Sequence, residues 1–275
     1  MTDAPARPRR FPLLLDKLGA PSIGPAREVL MPQHHLRLAT ADAARQLAPS
    51  GLGLDSAHVR QRMVRRLHAE GLRDERVLQA LATVARHQFV DSALATQAYE
   101  DTSLPIGHGQ TISKPSVVGR MIALLLSGNA AAERGNLGRV MEIGTGCGYQ
   151  AALLALVAQR VVSIERLKPL HDKARLNLTS TGAAHIQLVY GDGRLGHAPG
   201  APFDSIVAAA GGDDLPQAWL DQLAPGGRLV APMTAPGGRG QVLMVVDHKI
   251  ESGRSRFARS EHEAVLFVPL KSGVM

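Results

Sequence analysis

The sequence predicts an α/β fold: a mostly parallel sheet with an antiparallel strand pair at its C-terminal side, preceded by an N-terminal helical region. Three observations predict it. From Gly138 onward, short apolar runs alternate with helical stretches, the pattern of βαβ units whose sheet is covered on both faces. After the fifth strand the helix signals stop while two strand-like runs remain. Upstream, between residues 54 and 126, apolar residues recur at helical spacing. With 275 residues, 45% of them hydrophobic, the chain can bury a sizeable core.

Residues 1–50 differ from the rest. Pro5, Pro8, Pro12, Pro21, Pro25, Pro32 and Pro49 oppose regular structure, so this Pro/Arg-rich extension is expected to be poorly ordered. Arg7, Arg9, Arg10, Lys17, Arg27, Arg37 and Arg45 against Asp3, Asp16, Glu28 and Asp42 give it +3 of the chain's +7. Residues 51–130 are expected to hold helices and a loop, and residues 131–275 an α/β domain, with 51–275 as one structural unit.

A first helix starts near Leu54, capped by Asp55 or Ser56, with Val59, Met63, Val64 and Leu67 as its stripe and Gly71 as its stop. A second starts near Asp74, with Val77, Leu78, Leu81, Val84 and Ala85. A third runs over Pro115–Leu126, and a Gly-rich loop, Leu104 to Ser113, lies before it. Then follow the strand Arg139–Ile143, the helix Tyr149–Ala158, the strand Val161–Ile164, the helix Leu167–Thr181 closed by Gly182, and the strand Ile186–Tyr190. The strand Phe203–Ala210, a helix over Pro216–Leu223 and the strand Arg228–Pro232 complete the alternation. Gln241–Ile250 and Ala264–Leu270 form the antiparallel pair.

Composition narrows the function. Five Phe, three Tyr and one Trp are too few for a base-stacking platform, so nucleic acid is not an expected partner. One cysteine excludes an internal disulfide framework and a multi-cysteine zinc site. His34-His35, and His58 with His68, lack ligand spacing, so no metal is expected. No run of 18 apolar residues exists, and the N-terminus lacks the apolar core of a secretion signal. The expectation is a cytoplasmic protein without membrane partners, acting as a monomer.

The chemistry concentrates at Met141-Glu142-Ile143-Gly144-Thr145-Gly146-Cys147-Gly148-Tyr149-Gln150, where a strand becomes a helix. Dinucleotide loops read G-x-G-x-x-G and hold a pyrophosphate. Here the spacing is G-x-G-x-G, and Glu142 precedes it. An acid repels pyrophosphate but suits a ligand with an ammonium and a sulfonium, as in S-adenosylmethionine. The plain alternative is a tight turn with incidental glycines. Glu165 ends the second strand, where a carboxylate holds ribose hydroxyls, and Gly191-Asp192-Gly193 ends the third, where Asp192 can accept from the adenine amine. Alone, each acid reads as a turn residue or cap. Together, at the ends of three successive strands, they read as a Rossmann-like class I methyltransferase site for S-adenosylmethionine, built from Glu142, Gly144, Thr145, Gly146, Gly148, Glu165, Gly191, Asp192 and Gly193. Cys147 reads as a small space-filler.

Leu104-Pro105-Ile106-Gly107-His108-Gly109-Gln110-Thr111-Ile112-Ser113-Lys114-Pro115 closely resembles the loop of protein-L-isoaspartate O-methyltransferases. The likeness extends from Val77-Leu78, through Arg86-His87-Gln88-Phe89-Val90 and Ala98-Tyr99, to Ala208-Ala209-Ala210 and Leu223-Ala224-Pro225-Gly226-Gly227-Arg228-Leu229. It covers about residues 55 to 270. The resemblance implies methylation of the α-carboxyl of L-isoaspartyl residues in damaged proteins and peptides, with S-adenosylhomocysteine as product. The ester then collapses to a succinimide, which partly reopens as aspartate. It also implies that Ser113 is the active-site serine, and that Ile106, Gly107, His108, Ala209 and Ala210 flank the substrate. Cys147, His108, Lys114 and Ser116 depart from the residues common in the family.

A carboxylate is ionised at pH 7, so transfer to it needs no general base. Ser113 can donate one hydrogen bond that orients it without forming an ion pair. The alternative role for Ser113 is the cap of the helix that starts at Pro115. Two other functions compete: an RNA or small-molecule methyltransferase on the same fold, and a non-catalytic cofactor-binding module. Base-modifying enzymes carry a gripping motif after the fourth strand, where this chain reads Ala208-Ala209-Ala210-Gly211-Gly212. The intact acids and Ser113 oppose a non-catalytic module.

Overall fold

The computed structural model describes residues 57–179, 181–182, 184–235, 237–238 and 240–275. The expected extension over residues 1–50 and the caps Asp55 and Ser56 lie outside them.

Helices α1 (Ala57–Ala69) and α2 (Glu75–Thr83) pack through Met63 and Leu67 against Val77, Ala80 and Leu81. The Asp74 carboxylate caps α2 by accepting from the amides of Arg76 and Val77. Helix α2 ends before Val84, and two 3-10 turns, Arg86–Phe89 and Ser92–Gln97, follow.

The Gly-rich stretch expected as a loop is a hairpin: β1 (Leu104–Gly107) pairs antiparallel with β2 (Gln110–Ile112). His108 and Gly109 at its tip have φ of 54° and 67°, the two positive values of a turn whose twist matches the strands. Pro105 and two glycines break the alternation that would have marked these strands. Helix α3 (Pro115–Leu126) begins as expected, with Pro115 in its first turn. A short α4 (Asn129–Arg134) follows it.

The main sheet has seven strands in the order β5-β4-β3-β6-β7-β8-β9. Strands β3 (Arg139–Ile143), β4 (Arg160–Glu165), β5 (Ile186–Tyr190), β6 (Phe203–Ala208) and β7 (Leu223–Thr234) are parallel, and β8 (Gln241–Glu251) and β9 (Arg254–Val265) are antiparallel. Helices α5 (Tyr149–Ala155), α6 (Lys168–Thr179) and α7 (Gln217–Asp221) connect them. Val140, Met141, Glu142 and Ile143 are all buried, because helices cover both faces of β3. On one face Trp219 packs with Phe203 and donates to the Gly193 carbonyl at 2.7 Å.

One strand is misplaced in the sequence reading. The second antiparallel strand is Arg254–Val265, not Ala264–Leu270. Arg254, Arg256, Arg259, Glu261 and Glu263 hide it, since edge strands carry charge that discourages further pairing. Ser252 and Gly253, with φ of 52° and 75°, turn the chain into it. Residues 266–270 leave the sheet edge, and Pro269 bridges to Gly211 beyond the end of β6.

From β3 the chain proceeds to β4 and β5 on one side, then returns to β6 and β7 on the other. A crevice therefore opens at the carboxyl ends of β3 and β6, the position where such sheets hold ligands.

Candidate active site

A cavity of about 470 Å³ occupies this crevice. The ends of β3, β4 and β6 form its floor, the β1–β2 hairpin one side, and the segment after β9 another. Ile106, His108, Ser113, Gly144, Thr145, Gly146, Glu165, Gly193, Ala209 and Ala210 line it. The other residues singled out by sequence, Gly107, Glu142, Gly148, Gly191 and Asp192, adjoin the wall in sequence without forming it.

The glycine turn shows why glycine is needed there. Gly146 has φ of 56°, and a Cβ on it would stand 3.2 Å from Cδ1 of Ile106 in the hairpin. Opposite, Gly144 faces Ala209. Backbone thus lies bare on two sides of the cavity.

Glu165 anchors that turn. Its Oε2 accepts from the Gly146 amide at 2.8 Å and its Oε1 from the Leu167 amide at 2.9 Å. Each oxygen keeps a second lone pair.

Glu142 lies behind the wall and is fully buried. Ser163 donates to its Oε2, and the Ser163 hydroxyl is in turn 2.6 Å from that of Thr145, which lines the cavity. Among the described residues, Oε1 of Glu142 has no hydrogen-bond partner. Burial pushes the carboxyl up to about 8; the Ser163 bond opposes this and the nearby Glu165 charge adds to it. A buried carboxyl oxygen without a partner fits a cationic ligand group close by.

Asp192 accepts from the Arg194 amide at 2.8 Å and from the Gly273 amide at 2.6 Å. Its carboxylate is therefore engaged by backbone at the edge of the site.

Ser113 is half-buried, and its hydroxyl makes no hydrogen bond among the described residues. The helix-cap role considered for it is not observed. Lys114 occupies the cap position of α3 without a side-chain bond. Asp101 serves instead, accepting from the Ser116 amide at 2.9 Å and its hydroxyl at 2.7 Å. Ser116 is thus a partner for Asp101. The hairpin is tied down by Lys173 of α6, whose Nζ donates to the Ile106 carbonyl at 3.1 Å.

Sequence reasoning missed part of the wall: Arg166, Leu167 and Leu170, and Val268, Pro269, Leu270, Lys271 and Met275. The apolar run Phe267-Val268-Pro269-Leu270, directly after a charged strand, was a signal for the last group.

Comparison with known proteins accords with this geometry. The sequence model of the protein-L-isoaspartate(D-aspartate) O-methyltransferase family matches residues 58–275. A protein-L-isoaspartate O-methyltransferase of Methylibium petroleiphilum is 59% identical over 264 residues, covering 96% of this chain and 96% of that protein. One from Leptothrix cholodnii is 58% identical over 242 residues, covering 88% and 83%. Among solved structures, a protein-L-isoaspartate O-methyltransferase superposes with a TM-score of 0.68 at 24% identity, over 78% of this chain and 67% of that one. A Plasmodium falciparum structure, described as a putative protein-L-isoaspartate O-methyltransferase in complex with S-adenosyl-L-homocysteine, gives 0.63 at 23% identity, over 77% and 98%. The two structures share the fold. The chain belongs to the protein-L-isoaspartate O-methyltransferase family.

Proposed function

We propose that this chain methylates the α-carboxyl of L-isoaspartyl residues in damaged proteins and peptides, with S-adenosylmethionine as donor and S-adenosylhomocysteine as product. The observation that carries the reading is the shared cavity: the β1–β2 hairpin with Ser113 directly after it, the bare glycine turn and Glu165 face one space.

S-adenosylmethionine supplies a methyl group on a cationic sulfur. Glu165 accepts from ribose hydroxyls through its remaining lone pairs. Gly144, Thr145 and Gly146 admit the ligand against backbone, with Gly148 completing the turn. Glu142, with its unpartnered oxygen, favours the ammonium end. Gly191, Asp192 and Gly193 stand at the adenine end.

Ser113 orients the attacking carboxylate by one neutral hydrogen bond, which leaves the other oxygen free. Rate comes from holding that oxygen about 3 Å from the methyl carbon and from removing water around it. Ile106, Gly107 and His108 on one side, and Ala209 and Ala210 on the other, present backbone to the peptide. That suits damage sites occurring in varied sequences. The short side chains of Ala209 and Ala210 offer no grip on a base, which disfavours an RNA substrate. Among the described residues no helix is long and apolar enough to cross a membrane.

The test pairs an isoaspartyl peptide with its aspartyl twin in the presence of labelled S-adenosylmethionine. Label on the isoaspartyl peptide alone supports the reading; label on both, or on neither, overturns it.

A further inference from the structure

Residues 267–275 are held against the site by a series of hydrogen bonds. The Phe267 amide donates to Oε1 of Gln241 at 2.7 Å. Gly211 exchanges backbone bonds with Val268 and Leu270, at 2.8 and 2.6 Å. Beyond Lys271 the anchors change. The Gly273 amide donates to Asp192, and the Arg166 guanidinium donates to the carbonyls of Gly273 at 2.9 Å and Ser272 at 3.4 Å. The Met275 amide donates to the Arg166 carbonyl, and the Lys168 amide to the Met275 main-chain oxygen, both at 2.8 Å. This is the alternation of a parallel β-bridge.

We propose that residues 271–275 form the outer wall of the adenosine subsite and that Arg166 is the residue that positions them. The inference rests on reading the cavity as the S-adenosylmethionine site. Three observations carry it.

The anchors lie at the right place. Arg166 directly follows Glu165, and Asp192 follows β5, so the segment spans the ends of the two strands whose acids serve the adenosine half. Lys271 and Met275 line the cavity itself.

The chemistry of Arg166 is that of a clamp. Its fork addresses successive carbonyls, a geometry that a lysine ammonium cannot reproduce. No carboxylate pairs with it among the described residues.

Met275 is 71% exposed although it lines a cavity. An exposed, flexible apolar side chain at a rim is covered when a planar base enters beneath it. Arg166 is therefore a positioning residue, acting on cofactor affinity through Ser272, Gly273 and Met275.

The experiment measures S-adenosylhomocysteine binding by calorimetry, with peptide KM and kcat, for the unmodified chain, Arg166→Met and Arg166→Lys. Arg166→Met is expected to weaken the dissociation constant about fivefold or more while peptide KM stays within about twofold. Arg166→Lys falls between, because its ammonium reaches one carbonyl. A purely structural arginine would change the folded fraction and leave the affinity of folded molecules intact; an Arg166→Met dissociation constant within about twofold of the unmodified chain overturns the inference. If the unmodified chain does not bind S-adenosylhomocysteine, the reading of the cavity fails, and this inference with it. If Arg166→Met does not fold, hydrogen exchange on the unmodified chain decides. Slower exchange of the 272–275 amides on ligand binding supports the wall, and unchanged exchange overturns it.

Discussion

Ser163 donates its hydroxyl to Glu142 across a parallel register that pairs the two residues directly. With that proton directed at Glu142, the Thr145 hydroxyl must donate to Ser163, so a line of hydrogen bonds runs from the cavity wall to a fully buried carboxyl. One oxygen of that carboxyl is satisfied and the other is not. Burial outweighs the Ser163 bond, and the group titrates near pH 8 rather than in the usual carboxylate range.

A stability prediction follows from the sign of this shift. The unfolded chain releases the Glu142 proton near pH 4.5, while the folded chain keeps it until about pH 8. Between these values the folded state binds the extra proton, so stability from this group is full at low pH and declines as pH rises through the window. The decline is on the order of a few kcal/mol. Glu142→Gln removes it. Thermal melts of the ligand-free protein at pH 5 and pH 8 should show a smaller drop for the variant; equal drops would refute the assignment.

Ligand binding should also move this proton. A cation near Oε1 stabilises the ionised form, so S-adenosylhomocysteine binding at pH 7 is expected to release close to one proton. Calorimetry in buffers of different ionisation enthalpy reads the release directly. It should vanish above about pH 9, and in Glu142→Gln at any pH.

Ser113 and Asp101 should separate activity from stability. Ser113→Ala removes a hydroxyl that bonds nothing among the described residues, so methyl transfer should fall by 10-fold or more, on the order of one lost transition-state hydrogen bond, with the melting temperature nearly unchanged. Asp101→Ala removes the actual cap of α3, costing about 1 kcal/mol, or about 2–4 °C. A Ser113→Ala protein that melts early but turns over normally would reverse the roles.

The contrast shows where sequence is informative. The parallel strands were readable because β3 and β4 are buried almost throughout and, apart from Glu142 in one and Ser163 in the other, read as short apolar runs between helical stretches. The glycine turn and Glu165 were readable because their spacing follows from one βαβ unit. Capping by Asp101 was not, since it comes from a residue outside the helix it serves. Neither was the wall at Lys271 and Met275, which forms only when the chain returns across the sheet after β9. Ser113-Lys-Pro reads locally as a cap, and only the fold shows that the hydroxyl is left over for the cavity.

Arg86 provides the last prediction. It is fully buried, and its Nε and Nη2 donate to the carbonyls of Ala98 and Thr102 at 2.8 and 3.3 Å. Its guanidinium lies 4.9 Å from the ring centre of Tyr149, the first residue after the glycine turn. Burial pushes its pKa down, yet a guanidinium remains charged, and burial raises the Tyr149 hydroxyl to about 12, so that it stays neutral. The segment held by Arg86 leads into β1 on one side and, through Asp101, grips the start of α3 on the other. Both ends of the stretch that carries Ser113 therefore depend on it. Arg86→Met leaves two carbonyls unpaired at about 1–3 kcal/mol each, which lowers the melting temperature by roughly 4–24 °C. In the molecules that remain folded, kcat should fall several-fold while S-adenosylhomocysteine affinity holds within about twofold, because Glu165, not Arg86, bonds the glycine turn. Matched losses of both would place the effect of Arg86 at Tyr149 rather than at the hairpin.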